Sequence, residues 1–175
     1  EELYAHGVHM ATRSWERGNP KLKAETANNV DLTLRKLAGP TTFTVSVFHN
    51  RIDHYIHAHT LDAHEDFQLI EYTQRDASFI GIEGAIRQQI DATFGLTVFG
   101  DYVRARLEAS AGDRDLPRIP AHRIGVRLDA RWEAWRAEAE VYRVDRQDDI
   151  AEFESPTPGY NMVNLDLSYS GRYNG

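Results

Sequence analysis

From Arg123 onward, Ile124, Val126, Leu128, Ala130 and Trp132 alternate strictly with Arg123, Gly125, Arg127, Asp129 and Arg131. Successive side chains of a strand point to opposite faces, so this stretch predicts a strand with one apolar and one ionic face. The pattern resumes at Trp135, with Ala137, Ala139 and Val141 set against Arg136, Glu138, Glu140 and Tyr142. Only Glu133 and Ala134 separate the two stretches. A two-residue hairpin loop there puts Trp132 opposite Trp135, Ala130 opposite Ala137, Leu128 opposite Ala139 and Val126 opposite Val141. On the polar face the same register pairs Arg127 with Glu140 directly, and Arg131 with Glu138 and Asp129 with Arg136 diagonally. A face so densely charged is expected to be wet.

Five further stretches repeat the scheme, marked by Val30, Leu32 and Leu34; Phe43, Val45 and Val47; Ile80, Ile82 and Ile86; Phe94, Leu96, Val98 and Tyr102; and Val163, Leu165, Leu167 and Tyr169. A four-residue loop at 37–40 brings Leu34 opposite Phe43 and Leu32 opposite Val45. The short connections are 37–40, about 91–93, and 133–134; the long polar ones, roughly 56–70, 108–118 and 147–159, fall on the opposite edge of the sheet. Short turns on one rim and long loops on the other are the plan of an outer-membrane barrel.

A soluble antiparallel sandwich shows the same alternation and is the alternative from another class, a β-sandwich binding module. Three observations favour the barrel. The strands run to on the order of ten residues or more, which suits a tilted membrane crossing better than the usual soluble strand of about 5 or 6. Trp132 and Trp135 flank a short turn, where an aromatic girdle sits. Ala130, Ala137, Ala139, Gly84 and Gly100 at outward positions fill a sandwich core poorly but are acceptable against lipid.

Composition narrows the function classes. At 41% hydrophobic and 27% charged, the 175 residues allow a single domain. The mean hydropathy of -0.55 excludes helical spans but not a barrel, because only alternate residues meet lipid. With no Cys there is no disulfide framework, thiol catalysis or Cys-type zinc site. A net charge of -7 with no concentrated basic stripe argues against nucleic acid as partner. There is no G-x-S-x-G elbow, P-loop or H-E-x-x-H, and Ser, His and Asp are not spaced as a triad, so the chain is not expected to be an enzyme. It begins without Met in a polar segment and ends at 171–175 in a turn entered but not completed, and seven strands is an odd count where bacterial barrels close with even numbers. Residues 1–175 therefore read as one partial domain: an all-β, antiparallel transmembrane β-barrel fragment, about seven strands of a larger, plugged barrel.

Specific motifs point the same way. The run from Arg17 to Leu32, containing Gly18-Asn19-Pro20, Leu22, Glu25-Thr26 and Asn29, resembles the "GNP-L-PE-(S/T)-x-N-x-E-L" signature of TonB-dependent outer-membrane receptors, with Ala24 at the usual Pro and Asp31 at the usual Glu. The strand from Val45 to Ile56 resembles that family's "FxNxIxDxI" strand. Gly81-Ile82-Glu83-Gly84 is similar to its "GxEG" strand, Pro117-Arg118-Ile119-Pro120 with Arg123 to its "P-R-I-P-x-x-R" segment, and Pro158-Gly159-Tyr160 with Val163-Asn164-Leu165 to its late "P-G-Y-x-x-(L/V)-N-L" strand. The matches follow the family's order. The opening Glu2-Leu3-Tyr4-Ala5-His6-Gly7-Val8-His9-Met10-Ala11-Thr12 is similar to the "ELYAHGPHxAT" segment of the zinc-uptake receptor group, with Val8 at the usual Pro. The resemblance implies an outer-membrane receptor of a Gram-negative bacterium that binds scarce zinc and passes it through a plugged barrel of about 22 strands, driven by the proton-motive force through TonB. A ferric siderophore or haem is the alternative cargo. It further implies a TonB partner reached through a plug that this chain lacks, contact with outer-membrane lipid, and no catalytic cofactor, zinc being cargo.

Metal chemistry can be read separately from the residues. Imidazole is the commonest neutral zinc ligand, and carboxylates supply the remaining oxygens. Of eight His, six form two clusters: His6 with His9, and His54, His57, His59 and His64 beside Asp62, Glu65 and Asp66. The three-residue spacing of His6 and His9 lets both rings reach one ion from a helical or turn segment. In extended chain His57 and His59 share a face while His54 lies off it. Taken singly, each loop histidine reads equally as a polar surface group. Clustering and resemblance together favour metal contact for His6 and His9, and leave transient capture of metal as one reading of the second cluster. His49 and His122, inside or at the start of strands, read as structural. Tyr4, Trp15, Tyr55, Tyr72, Phe153 and Tyr160 lie near the long-loop rim, as an interfacial girdle or as stacking groups for a chelate.

Overall fold

The computed structural model describes residues 2–64, 67–108, 115–151 and 154–171. They form one nine-stranded sheet: β1 (His6–His9), β2 (Ser14–Arg17), β3 (Thr26–Lys36), β4 (Thr41–His64), β5 (Phe67–Gln89), β6 (Phe94–Leu107), β7 (Arg123–Trp132), β8 (Trp135–Val144) and β9 (Tyr160–Tyr169). The strands β3 to β9 are the seven expected from alternation, and each pairs antiparallel with its sequence neighbour. β1 and β2 are additions. At four residues each they are too short for a period of two to stand out, and β2 runs parallel to the upper end of β5, the one parallel pairing among the described residues.

The hairpin expected at 133–134 forms as predicted, with Trp132 opposite Trp135, Leu128 opposite Ala139 and Arg127 opposite Glu140. Glu133 takes the left-handed conformation the tight turn needs, with φ of 51°. The β3–β4 register differs from expectation: Leu34 faces Val45 and Leu32 faces Val47, two positions from the predicted partners. A shift of two preserves the face of every side chain, so the alternation could not reveal it. A larger correction concerns 56–70. In place of a long loop, β4 and β5 continue as paired strands to His64 and Phe67.

Direct cross-strand partners share a face, so the register sorts the wall into two sides. One carries Val30, Leu32, Leu34, Val47, Ile80, Ile82, Val98, Val126, Val141, Val163, Leu165 and Leu167, all exposed; Leu32 is 69% and Leu165 80% exposed. So broad an uncovered apolar face fits hydrocarbon as its solvent. At the short-turn rim this face ends in the aromatic row Trp132, Trp135 and Tyr169, with the last two rings 4.9 Å apart.

The other side is ionic and aromatic. Arg127 binds Glu140 (2.6 Å) and Glu138 (3.2 Å), Arg87 grips Asp129 through two nitrogens (3.1 and 2.7 Å), and Arg123 reaches Asp101 (2.7 Å). The diagonal pairs expected for Arg131 and Arg136 do not form, because Arg87 takes Asp129 and Arg127 takes Glu138. Two glycines let aromatic rings lie flat across the inner wall: a Cβ on Gly81 would stand 2.3 Å from the Phe48 ring, and one on Gly125 2.4 Å from that of Phe99. The only sizeable buried apolar cluster among the described residues is Ala77, Ala105, Leu107 and Leu116, packed against Tyr55, Phe79 and Ile119 near the long-loop rim.

Candidate functional site at the long-loop rim

The candidate site depends on one residue. β4 pairs with β5 without interruption up to Ile52 opposite Ala77, and resumes at Tyr55 opposite Arg75. The extra residue on β4 is absorbed by His54, whose φ is 59°. His is among the non-glycine residues that tolerate this left-handed region. The bulge is fixed on both sides: Asp76 Oδ1 accepts the His54 amide (2.9 Å), and Gln74 Nε2 donates to the His54 carbonyl (2.8 Å) and the Lys23 carbonyl (2.6 Å). Glu25 Oε1 accepts the Ile56 amide (2.6 Å), which β3 ends too early to satisfy.

The bulge inverts the parity of β4. Below it, odd-numbered residues such as Val45, Val47 and His49 share the outward side with Ile80 and Ile82. Above it, Tyr55, His57 and His59 pair with Arg75, Thr73 and Glu71, odd positions of β5 that share the inner side with Ala77. His57 and His59 thus lie on one face, as expected, and that face is the interior.

His57 is 9% exposed, and its Nδ1 is buried without a hydrogen-bond partner. Burial holds its imidazole below the ordinary value; the charges of Arg75 and His59 act the same way, against a hydrogen bond to the Tyr55 backbone. The ring is therefore neutral near pH 7, the state in which imidazole binds metal. Its plane is stacked on Tyr55 (4° between planes, 6.4 Å between centroids), whose phenol burial makes harder to ionise. A cavity of about 980 Å³ opens over this face, lined by His9, Glu16, Tyr55, His57, His59, Tyr72 and Arg75 and closed by Asp115, Leu116, Arg118 and Glu154.

The other candidates fare differently. His6 and His9 lie at the two ends of extended β1, not in a helical or turn segment. A three-residue offset in a strand puts the rings on opposite faces, so this conformation does not bring them to one ion. His6 packs edge-on against Trp15 at 5.6 Å. His9 lines the cavity, and its Nδ1 is held by Thr12 Oγ1 (2.9 Å), the first link of a polar chain through Ser14 and Glu16 to the Tyr72 hydroxyl. His54 is the bulge, His64 sits exposed at the end of β4, and Asp62 faces Leu69. Glu65, Asp66 and Phe153 lie outside the described residues. His49 faces outward beside Ile80, and His122 lies 3.5 Å from Asp145. Among the described residues no three His, Asp or Glu side chains converge as a closed metal site. Arg75 and Glu16 escaped the sequence reading. Arg75 matters only through its pairing across the bulge, and Glu16 sits in a strand too short to announce itself.

Comparison with known proteins agrees with this architecture. The chain matches the copper transporter OprC with a TM-score of 0.79 at 20% identity, over 89% of this chain and 24% of that one. It matches the siderophore receptor PirA from Pseudomonas aeruginosa with a TM-score of 0.62 at 16% identity, over 92% of this chain and 27% of that one. For the ferric yersiniabactin uptake receptor FyuA from Yersinia pestis the values are 0.58 and 14%, over 83% and 22%. At these identities the likeness is one of fold, and the chain spans about a quarter of the length of these structures. A family profile, described as TonB dependent receptor-like, beta-barrel, matches residues 1–174. With nearly its whole length matched and its strands arranged as a barrel wall, the chain belongs to the TonB-dependent receptor β-barrel family.

Proposed function

We propose that this chain forms part of the wall and outer rim of a plugged receptor in the outer membrane of a Gram-negative bacterium, which takes up a scarce metal, zinc foremost, with energy delivered through TonB. The observation that carries the cargo reading is His57: a buried, neutral imidazole with an unpartnered nitrogen, facing a rim cavity that His9 and His59 also line. Zinc takes such nitrogens together with carboxylate oxygens, and Glu16 and Glu154 border the same space. His9, its Nδ1 held by Thr12, has Nε2 left for metal, the arrangement in which an outer hydrogen bond orients a ligand ring. The ligand set is completed by groups the cargo meets elsewhere in the receptor.

A metal chelate, such as a ferric siderophore or haem, is the second reading, favoured by two features. A cavity of about 980 Å³ is far larger than an ion requires, and the Arg75 guanidinium beside His57 repels a bare cation while attracting an anionic complex. Calorimetry on the complete receptor separates the readings. Zinc binding should weaken at least tenfold, about 1.4 kcal/mol, in H57Q and to a smaller extent in H9A, while H6A binds as wild type. Unchanged zinc affinity in H57Q removes the site. Binding of a carboxylate-bearing iron chelate that is lost on Arg75→Gln, with no response to zinc, establishes the second reading instead.

A further inference from the structure

β1 and β2 are joined by a turn at 10–13, where Arg13 takes a left-handed φ of 49° and its carbonyl accepts the Gln68 amide (3.0 Å). The register sets His9 opposite Ser14 and Gly7 opposite Glu16, so Ser14 and Glu16 share the His9 side of the ribbon. That side faces the rim cavity, which His9, Thr12 and Glu16 line.

A run of side-chain hydrogen bonds crosses this side. His9 Nδ1 and Thr12 Oγ1 lie 2.9 Å apart, Thr12 Oγ1 and Ser14 Oγ 2.7 Å, Ser14 Oγ and Glu16 Oε1 3.3 Å, and the Tyr72 hydroxyl and Glu16 Oε2 3.1 Å. Ser14 is fully buried, so its hydroxyl has no water to turn to. A hydroxyl carries one proton, and a carboxylate can only accept. Ser14 therefore donates to Glu16, and Thr12 is the donor between the two hydroxyls. With its proton spent on Ser14, Thr12 meets the ring with a lone pair, so the proton of that contact belongs to His9 Nδ1. The other acceptor within reach of Thr12, the His9 carbonyl at 3.3 Å, leaves the same lone pair toward the ring. Glu16 keeps its charge for this chain: neighbouring Arg17 turns to Glu71 (3.1 and 2.7 Å), and among the described residues no cation pairs with Glu16.

We propose that Glu16, acting through Ser14 and Thr12, is a positioning residue that fixes His9 in the tautomer with Nδ1 protonated and so holds the Nε2 lone pair open to a divalent cation in the cavity. A histidine side chain free in water favours the opposite tautomer, with the proton on Nε2 and no lone pair there. The chain sets the ring for metal before any arrives, and Glu16, engaged at both oxygens, serves the cation through His9. The link to cargo rests on the reading of this rim as a metal site; the tautomer does not.

The test is solid-state NMR of the complete, metal-free receptor in lipid, labelled with 15N and 13C at histidine and held at about pH 8.5, above the ordinary histidine range. The His9 signals are identified by their loss in H9Q. Wild type and T12S should show a protonated Nδ1 and a bare Nε2, whereas T12V should return the ring to the Nε2–H form. S14A and E16Q should lower the Nδ1–H share although Thr12 remains, because an amide at position 16 can donate as well as accept. In zinc calorimetry, affinity should fall in T12V toward that of H9A and stay at the wild-type level in T12S. Threonine and valine are near in size, and heat-modifiable mobility scored in parallel separates loss of the hydroxyl from loss of the fold. An Nε2–H ring in the wild type overturns the proposal. An Nδ1–H ring kept in S14A and E16Q but lost in T12V overturns the role of Glu16, Thr12 alone then setting the ring. The expected order of tautomers without zinc binding supports the relay and defeats only the zinc reading.

Discussion

Below the His54 bulge and above it, β4 and β5 are paired by the same hydrogen-bonding rules yet do opposite things with their side chains. In the lower wall the odd positions of β4 lie on the exposed apolar side, and the inner side is a lattice of ion pairs spread over Arg87, Asp129, Arg127, Glu138 and Glu140. In the upper hairpin the odd positions face inward, and an apolar cluster supports a single buried histidine without a polar partner for Nδ1. Each region holds a buried polar atom without a partner, Asn50 Oδ1 in the wall and His57 Nδ1 at the rim, but His57 lines a cavity that His9 and His59 also border.

The largest effect is expected from removing the residue that separates the two regions. Deleting His54 should restore one parity along β4 as far as Thr60, where a second register shift follows, and turn Tyr55, His57 and His59 outward. As the chain contains no Cys, a single cysteine at position 57 reports this directly. Its reaction with a water-soluble maleimide should quicken on the order of tenfold in the deletion background, as a buried side chain becomes exposed. H54G, which favours the same backbone conformation, should leave the rate unchanged. Equal rates in both backgrounds would mean that the bulge does not set the parity.

Next in size is a change confined to the wall. Glu140 accepts from Arg127 through two nitrogens (2.9 and 2.6 Å) and from Asn164 (2.9 Å), so E140A should cost about 2 kcal/mol in urea unfolding of the receptor in detergent. Metal binding at the rim should be unaffected. A loss of affinity would show the two regions to be coupled.

The smallest effect concerns protonation. The His57 value is depressed in the folded protein, so its contribution to stability is complete above the ordinary histidine range near 6.5 and is lost as pH falls through the folded value. Acidification from pH 7.5 to 5 should lower the thermal midpoint of wild-type protein more than that of H57Q, by less than E140A lowers it at pH 7.5. Identical pH profiles would exclude His57 as a source of the dependence.

The wall was largely legible because alternation, turn length and charge agree there. Trp132 and Trp135, separated by the two residues of a tight turn, fix a register with no freedom to slip. The loop after Leu37 leaves such freedom, and Leu34 meets Val45 instead of Phe43. The rim was less legible for physical reasons. Polar residues from 56 to 70 resemble a loop because the upper hairpin lacks the regular apolar alternation that marks the wall strands. The left-handed His54 has no glycine to mark it. His6 and His9 suggest a chelating pair by spacing, but an extended backbone divides them. His57 and Arg75 share a face only because Ile52 and Tyr55 flank an unmatched residue.

One consequence follows from the partners of β5. Its lower part is bonded to β6 and its upper end to β2, while β4 accompanies it on the other side, so a single strand of 23 residues runs from the short-turn rim to beyond the bulge without a joint. Fully extended, it is a rod of about 75 Å. A load placed on the outer end, by a captured cargo or by a neighbouring molecule, is therefore carried along peptide hydrogen bonds to the Gln88–Gln89 end, and the strand acts mechanically as a beam anchored in the wall.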